Sequence, residues 1–269
     1  ERAPSTRTKA LVAVKPARNA KRERIGIITL NRPEQKNTFT VEFAELLNRY
    51  LVEMDEDDDI RCVVINANGK HFSTGISLDE FKGKSHTEAR ELVRCMDRHN
   101  LTVAQMKTPV IASVKGYAVA NGAGLVFASD MAVVAESSKF GTTAINVGLI
   151  CLGPAVPLSR LVSRKKLLEM VLAGDIITAE EALKWGMVNH VVPDEELEEK
   201  TFELARKIAS KSPLAVECGK KGIYGMSDLP YEKALDYMGE MFASLISTED
   251  AMEGLDAFVN KRPPEWKKK

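Results

Sequence analysis

Thr108 to Pro154, TPVIASVKGYAVANGAGLVFASDMAVVAESSKFGTTAINVGLICLGP, is the stretch around which the rest of this chain is organised. Val110 to Val114 is short, rich in β-branched residues and bounded by Pro109 and Gly116, the pattern of a fully buried strand. Ala120-Asn121-Gly122-Ala123-Gly124 then offers almost no side chain before Leu125 to Ala128 resume an apolar, helical pattern that ends at Ser129-Asp130. A strand that runs through such a turn into a helix leaves backbone N–H groups unpaired at the helix start, where they can serve an anion or an oxyanion. Taken alone, the turn fits a tight connection or a close helix–sheet contact equally well. A second small-residue turn, His71-Phe72-Ser73-Thr74-Gly75-Ile76-Ser77-Leu78-Asp79, follows the apolar run Cys62 to Ile65 and gives the first one company.

At 269 residues and 29.7 kDa the chain is long enough for one large domain with a full core. Its 38 basic and 38 acidic residues cancel, so the charge balance points neither to nucleic acid nor to an anionic membrane. Cys62, Cys95, Cys151 and Cys218 lie far apart with no CxxC pair. Neither a zinc site nor a disulfide framework is signalled, no metal is expected, and a reducing compartment fits. No apolar run approaches 18 residues, so no membrane span is expected. The first residue is Glu1, and residues 1 to 24 carry eight basic and two acidic side chains, which can be read as the remnant of a transit peptide. The alternative reading makes Leu11 to Val14 a strand, Lys15 to Arg24 a basic hairpin loop and Ile25 to Leu30 a second strand, leaving residues 1 to 8 as a flexible tail. A cytoplasmic location is expected, with the mitochondrial matrix as the alternative.

Apolar residues at helical spacing, Val41, Ala44, Leu47, Leu51 and Met54, predict a helix within Thr38 to Asp55. A strand over Ile60 to Ile65, the His71 turn and a helix near Thr87 to Met106 follow. This rhythm of strands and helices predicts an α/β fold with a parallel sheet. Farther on, Ala182 to Val192 reads as a short helix, a Gly stop and a strand, and Glu195 to Ala209 as an amphipathic helix. Tyr231 to Ala257 reads as two helices broken near Ser247-Thr248, where a hydroxyl ahead of Glu249-Asp250 offers an N-cap. Met238, Met241 and Met252 are expected in the core or at a subunit contact.

The ordered set of landmarks resembles the crotonase superfamily, the enoyl-CoA hydratase/isomerase group. They stand here as Leu30-Asn31-Arg32-Pro33 with Lys36-Asn37, then Phe72-Ser73-Thr74-Gly75, Pro109-Val110-Ile111-Ala112 with Gly116-Tyr117-Ala118, Ser129-Asp130, Lys139-Phe140-Gly141, and finally Glu253-Gly254 with Phe258 and Lys261-Arg262. The resemblance covers about Leu11 to Trp266. It implies a crotonase-type spiral of ββα units over residues 9 to 211, binding a CoA thioester. A C-terminal helical oligomerisation region over 212 to 269 completes the family pattern, with a homotrimer or dimer of trimers as the assembly.

By the same resemblance, the thioester oxygen lies between two backbone donors, the N–H groups of Ile76 and Asn121, where small residues are usual. Preformed donors of this kind supply about 3 to 4 kcal/mol apiece to an enolate in a dry site. Lys36, Thr38, Ser73, Gly75, Ile76, Ser77, Leu78 and Asn121 would line the substrate site, and Phe258 and Lys261, from the same or a neighbouring subunit, would approach the adenine and 3′-phosphate. CoA enters as part of the substrate and no other cofactor is expected. The two glutamates that the family's hydratases use fall at Gly124 and Ala144, so both carboxylates are absent. Each would contribute about 10²- to 10⁴-fold. The aspartate of the dienoyl-CoA isomerase and dehalogenase branches falls at Leu152.

Among the polar substitutes, Asp79 and Glu80 read as caps or solvated groups, Cys151 as a buried inert thiol, and His71 and His99 as surface residues. Thr143 and Asn146, in Phe140 to Gly148, resemble the pair found in decarboxylating members, where loss of CO₂ yields the enolate without a base. The run Asn146-Val147-Gly148-Leu149 with Cys151 and Pro154 resembles more closely the enoyl-CoA hydratase domain-containing branch, which also lacks the glutamate pair. An acyl-CoA lyase of the hydratase type is therefore expected. A malonyl-type acyl-CoA decarboxylase and a non-catalytic acyl-CoA-binding protein are the alternatives. One relative in the superfamily binds RNA, but the zero net charge counts against that role here.

Overall fold

The computed structural model describes the backbone of residues 12 to 16 and all of residues 24 to 269. The expected tail and most of the basic hairpin loop lie outside the described residues. The backbone of Val12–Pro16 (β1) pairs antiparallel with Ile25–Leu30 (β2). From β2 onward the sheet is parallel, through Cys62–Ala67 (β3), Val110–Val114 (β4), Met131–Ala135 (β6) and His190–Val192 (β9), in the order β1-β2-β3-β4-β6-β9. Parallel neighbours need crossovers, and helices supply them. Val41–Glu56 (α1) links β2 to β3, and His86–Gln105 (α2) links β3 to β4. Asn121–Ala128 (α3) stands between β4 and β6. A second sheet joins Tyr117–Val119 (β5), Lys139–Gly141 (β7) and Ile176–Thr178 (β8).

The two crossover helices α1 and α2 start where the sequence offers a hydroxyl. Thr40 accepts from the Phe43 N–H at the head of α1, and Ser85 forms a reciprocal capping box with Glu88 at the head of α2. The apolar stripe of α1 buries Phe43, Ala44, Leu47, Leu51 and Met54, and α2 packs against it with Leu92, Met96, His99 and Val103. His99 therefore departs from the expected surface position. The spacing 92, 96, 99, 103 is one helical face, and the imidazole lies tilted against the buried Phe39 ring, centroids 5.6 Å apart. Burial pushes it down to about 4, so it is neutral at physiological pH.

After β7 come two short helices, Leu152–Leu158 (α4) and Arg164–Ala173 (α5), then β8, Ala179–Lys184 (α6) and β9. Leu197–Ala209 (α7) covers one face of the parallel sheet, placing Leu197, Ala205 and Ala209 against Ile25, Cys62, Val64 and Ile111. Three C-terminal helices follow, Pro213–Met226 (α8), Tyr231–Ile246 (α9) and Glu249–Val259 (α10). The break between α9 and α10 falls at Ser247-Thr248 as expected, with Thr248 accepting from the Ala251 N–H. Met238 and Met241 bring their sulfurs onto Gly222, where α8 and α9 cross. This helical region is bolted to the sheet by Lys220, whose buried ammonium reaches the Asp130 carboxylate at 2.7 Å and the Thr108 carbonyl at 3.0 Å.

Candidate functional site

Residues 73 to 77 run between two neighbours. On one side Phe39 N–H donates to the Gly75 carbonyl (2.8 Å) and Ser77 N–H to the Phe39 carbonyl (2.9 Å), a parallel bridge centred on Ile76. On the other side Ser73 N–H donates to the Tyr117 carbonyl (3.1 Å) and Val119 N–H to the Ser73 carbonyl (3.0 Å), a parallel bridge centred on Ala118. In a parallel bridge the residue at the centre of the flanked position keeps its own N–H and C=O for the opposite side. The Ile76 N–H therefore points away from Phe39, towards the side where β5 runs into α3. Among the described residues no backbone carbonyl accepts from the Ile76 N–H or the Asn121 N–H.

The two turns touch. A Cβ added at Gly75, which sits at φ +95°, would come 2.7 Å from the Ala120 Cβ and 3.4 Å from the Asn121 nitrogen. A Cβ at Gly122 would meet the Ser73 carbonyl at 2.4 Å. Both glycines are thus required by close approach of backbones. Ala120 turns the chain at φ 48°, ψ −123°, a conformation costing about 1 to 3 kcal/mol for a residue with a side chain, and its N–H is held by the Gly141 carbonyl at 2.8 Å. That strained turn aims the first N–H groups of α3 at the 73 to 77 segment.

Lys36 and Asn37 join the same assembly. Both have positive φ, and the Lys36 carbonyl accepts from Thr74 N–H. The fully buried Asn37 side chain accepts from Arg32 N–H and donates to the Asn68 and His71 carbonyls, while its carbonyl accepts from the Ser73 hydroxyl at 2.8 Å. The Thr38 carbonyl accepts from Arg32 Nη1. Lys36, Thr38, Ser73, Gly75, Ile76, Ser77, Leu78 and Asn121 are therefore one contiguous region, with the Leu78 side chain largely exposed. Phe258 and Lys261 stand apart at the end of α10; Phe258 is 85% exposed, and no hydrogen bond or ion pair among the described residues ties them to the turns.

The Asn121 side chain is buried and donates to the Met96 carbonyl of α2 at 3.0 Å. It braces the turn rather than filling it. Thr143 lies in the 3-10 turn Thr143–Val147 with Ala144. The Asn146 amide donates to the Gly174 carbonyl at 3.2 Å, the task of a strut at the end of α5. Cys151 is buried as expected, and burial raises its thiol; the Ala144 backbone is hydrogen-bonded to it. Asp79 is exposed and paired with Lys82, as a solvated group.

Gly124, where the resemblance would set one glutamate, is closed off by α4. A Cβ there would lie 3.0 to 3.3 Å from the Cγ, Cβ and Cα of Pro154. Gly153, which precedes Pro154, is closed by α2, since a Cβ there would come within 2.1 and 2.2 Å of the two carboxylate oxygens of Asp97. Sequence reasoning passed over Asp97. Nothing local distinguishes it on a charged helix face, and the glycine it packs on is brought to it only when α4 folds onto α2 and α3.

The family profile described as enoyl-CoA hydratase/isomerase matches residues 20–269. The chain belongs to that family. Enoyl-CoA hydratase domain-containing protein 3, mitochondrial, of Rattus norvegicus is 34% identical over 256 residues, 93% of this chain and 85% of that protein. A probable enoyl-CoA hydratase, mitochondrial, of Dictyostelium discoideum is 34% identical over 251 residues, 93% of this chain and 90% of that one. Among solved structures, human enoyl coenzyme A hydratase domain-containing protein 3 superposes with a TM-score of 0.90 at 33% identity, covering 95% of this chain and 100% of that one. Enoyl-CoA hydratase of Mycobacterium smegmatis does so at 0.91 and 33%, covering 96% and 99%. The expected crotonase fold, with its parallel sheet and C-terminal helices, is thereby established, and the chain is an acyl-CoA-processing family member. No helix among the described residues is long and apolar enough to cross a membrane.

Proposed function

We propose that this chain is a hydratase-like acyl-CoA lyase in which the N–H groups of Ile76 and Asn121 polarise a thioester carbonyl and hold the enolate oxygen that develops from it. The single observation that carries this reading is the juxtaposition of the two turns, with the Asn121 nitrogen 3.4 Å from a Gly75 Cβ position and neither N–H taken by a backbone carbonyl among the described residues. Donors fixed in advance of the reaction cost no reorganisation when charge develops, which is why strain at Ala120 is worth keeping.

The CoA moiety would lie along Lys36, Thr38 and Ser73 to Leu78. Phe258 is exposed and neither it nor Lys261 is tied to the turns within the protomer among the described residues. They would serve a neighbouring protomer's site, in keeping with the exposed apolar side chains Leu235, Phe242, Leu255 and Phe258 on α9 and α10. A homotrimer, alone or paired, covers that surface. The names of the rat and Dictyostelium relatives favour the mitochondrion over the cytoplasm.

The decarboxylase alternative loses support at Asn146, whose amide is already bonded to Gly174. The deciding experiment follows loss of the enoyl absorbance of crotonyl-CoA at high enzyme concentration, with CO₂ release from malonyl- and methylmalonyl-CoA measured on the same preparation. Hydration supports the lyase. CO₂ release without hydration moves the assignment to a decarboxylase, and saturable acyl-CoA binding with neither reaction moves it to a binding protein.

A further inference from the structure

The thioester reading leaves one chemical gap, because an oxyanion hole stabilises an enolate but does not move the proton that makes one. Gly124 and Ala144 bring no carboxylate, and Pro154 occupies the space in front of Gly124. The segment that closes this space also carries Gly153, and onto Gly153 comes the Asp97 carboxylate from α2. Three connections tie Asp97 to the two turns. Its neighbour Met96 accepts from the Asn121 side chain at 3.0 Å. Gly153 is bonded in sequence to the Pro154 that abuts Gly124. Cys151, hydrogen-bonded to the Ala144 backbone, is close enough to feel the Asp97 charge.

A carboxylate taken out of water normally has a partner, and Asp97 lacks one. Among the described residues it has no hydrogen bond and no ion pair, although Arg94 and Arg98 flank it on the same helix. The two helices facing it, α3 (NGAGLVFA) and α4 (LGPAVPL), carry no basic side chain. It is half-buried, and burial pushes it up to about 6, well placed for taking and returning a proton near neutral pH. His99 on the same helix is a poorer candidate: its unpartnered Nε2 is sealed in the core against Phe39. Gly153 is required where it is, since any side chain there would displace the carboxylate.

We propose that Asp97 is the proton-transferring carboxylate of this site, reaching the α-carbon of an acyl-CoA from α2 in place of the absent glutamates. This rests on the thioester reading above. In the step, the Asp97 carboxylate takes a proton from the α-carbon. The C–H electron pair becomes the C=C of the enolate, the carbonyl π pair moves to the oxygen held by the Ile76 and Asn121 N–H groups, and Asp97 is left protonated. With an enoyl-CoA, Asp97 takes a proton from a water whose oxygen bonds to the β-carbon, the C=C pair moves to form the enolate, and the protonated Asp97 then delivers that proton to the α-carbon as the enolate carbonyl re-forms. The substrate class is an acyl-CoA with a hydrogen on, or a double bond at, its α-carbon.

The test uses butyryl-CoA in D₂O, a saturated thioester that cannot be hydrated, with α-deuterium read by mass spectrometry and binding read by calorimetric titration on the same full-length protein. Wild type is expected to bind and to incorporate deuterium. Asp97→Asn is expected to bind within about threefold and to lose exchange by at least about 100-fold. Gly153→Ala, which displaces the carboxylate without altering it, is expected to lower exchange by about tenfold or more. Exchange at the wild-type rate in Asp97→Asn, or a wild type that binds but does not exchange, overturns the role of Asp97. A wild type that binds no acyl-CoA overturns instead the thioester reading beneath it.

Discussion

Replacing Asp97 with Asn should make the protein more stable at pH 8, and the gain should shrink as the pH falls. A carboxyl raised from 3.8 to about 6 by burial alone carries a penalty for its charged form of up to about 3 kcal/mol, at about 1.36 kcal/mol per pH unit. Because the folded value is the raised one, the carboxyl contributes stability fully below about pH 4 and loses it as the pH climbs through about 6. Solvent contact on the open side of α2 reduces the full figure, so a gain of about 1 to 2 kcal/mol is expected for the neutral amide at pH 8. At pH 5 about nine-tenths of the folded carboxyl is protonated, and the gap between variant and wild type should close by about 1 kcal/mol. Urea unfolding followed by circular dichroism at both pH values, at one fixed protomer concentration, reads the difference. An Asp97→Asn protein less stable than wild type at pH 8, or a gap that is the same at both pH values, would refute the reasoning. It would mean that the carboxylate is satisfied as a charge. A substitution that stabilises the fold while stopping proton transfer is what a site held against its own stability should give.

Four further outcomes are expected. Ala120→Gly relieves the φ 48° strain and should raise stability by about 1 kcal/mol in urea unfolding, with acyl-CoA binding kept. Gly75→Ala forces a methyl onto Ala120 at a φ of +95° and should cost about 2 kcal/mol or more and weaken acyl-CoA binding, read by the same unfolding curves and by titration. From sequence alone, Gly124→Glu with Ala144→Glu would be expected to raise hydration of crotonyl-CoA; because a Cβ at position 124 would lie 3.0 Å from the Pro154 Cγ, the pair should raise it little, and adding Pro154→Gly should give the larger gain in the absorbance assay. Lys220→Met leaves Asp130 buried without its cation and should cost about 3 to 5 kcal/mol in chemical unfolding.

The strand and helix rhythm was legible because each element announces itself within a few residues. Thr248 is one such signal, a hydroxyl before two acids, and the two small-residue turns are others. Their meeting was not legible from spacing. It depends on Phe39 and β5 gripping residues 73 to 77 from opposite sides, and only the family resemblance brought Ile76 and Asn121 together in advance. His99 had a signal that was missed, since the stripe Leu92, Met96, Val103 passes through it. Asp97 had none. A carboxylate one residue off the apolar stripe reads as solvated until a distant glycine is folded onto it.

Helix α3 is eight residues long, about 12 Å at 1.5 Å per residue. One end presents Asn121 to the thioester turn, and just beyond the other Asp130 receives Lys220 and Tyr224 from α8 while also accepting from the Val110 N–H. The region through which protomers would meet and the region that would bind substrate are thus fastened to opposite ends of one short rod whose side chains are all buried. By reciprocity, whatever free energy subunit association lends to the turn, a bound thioester lends back to association.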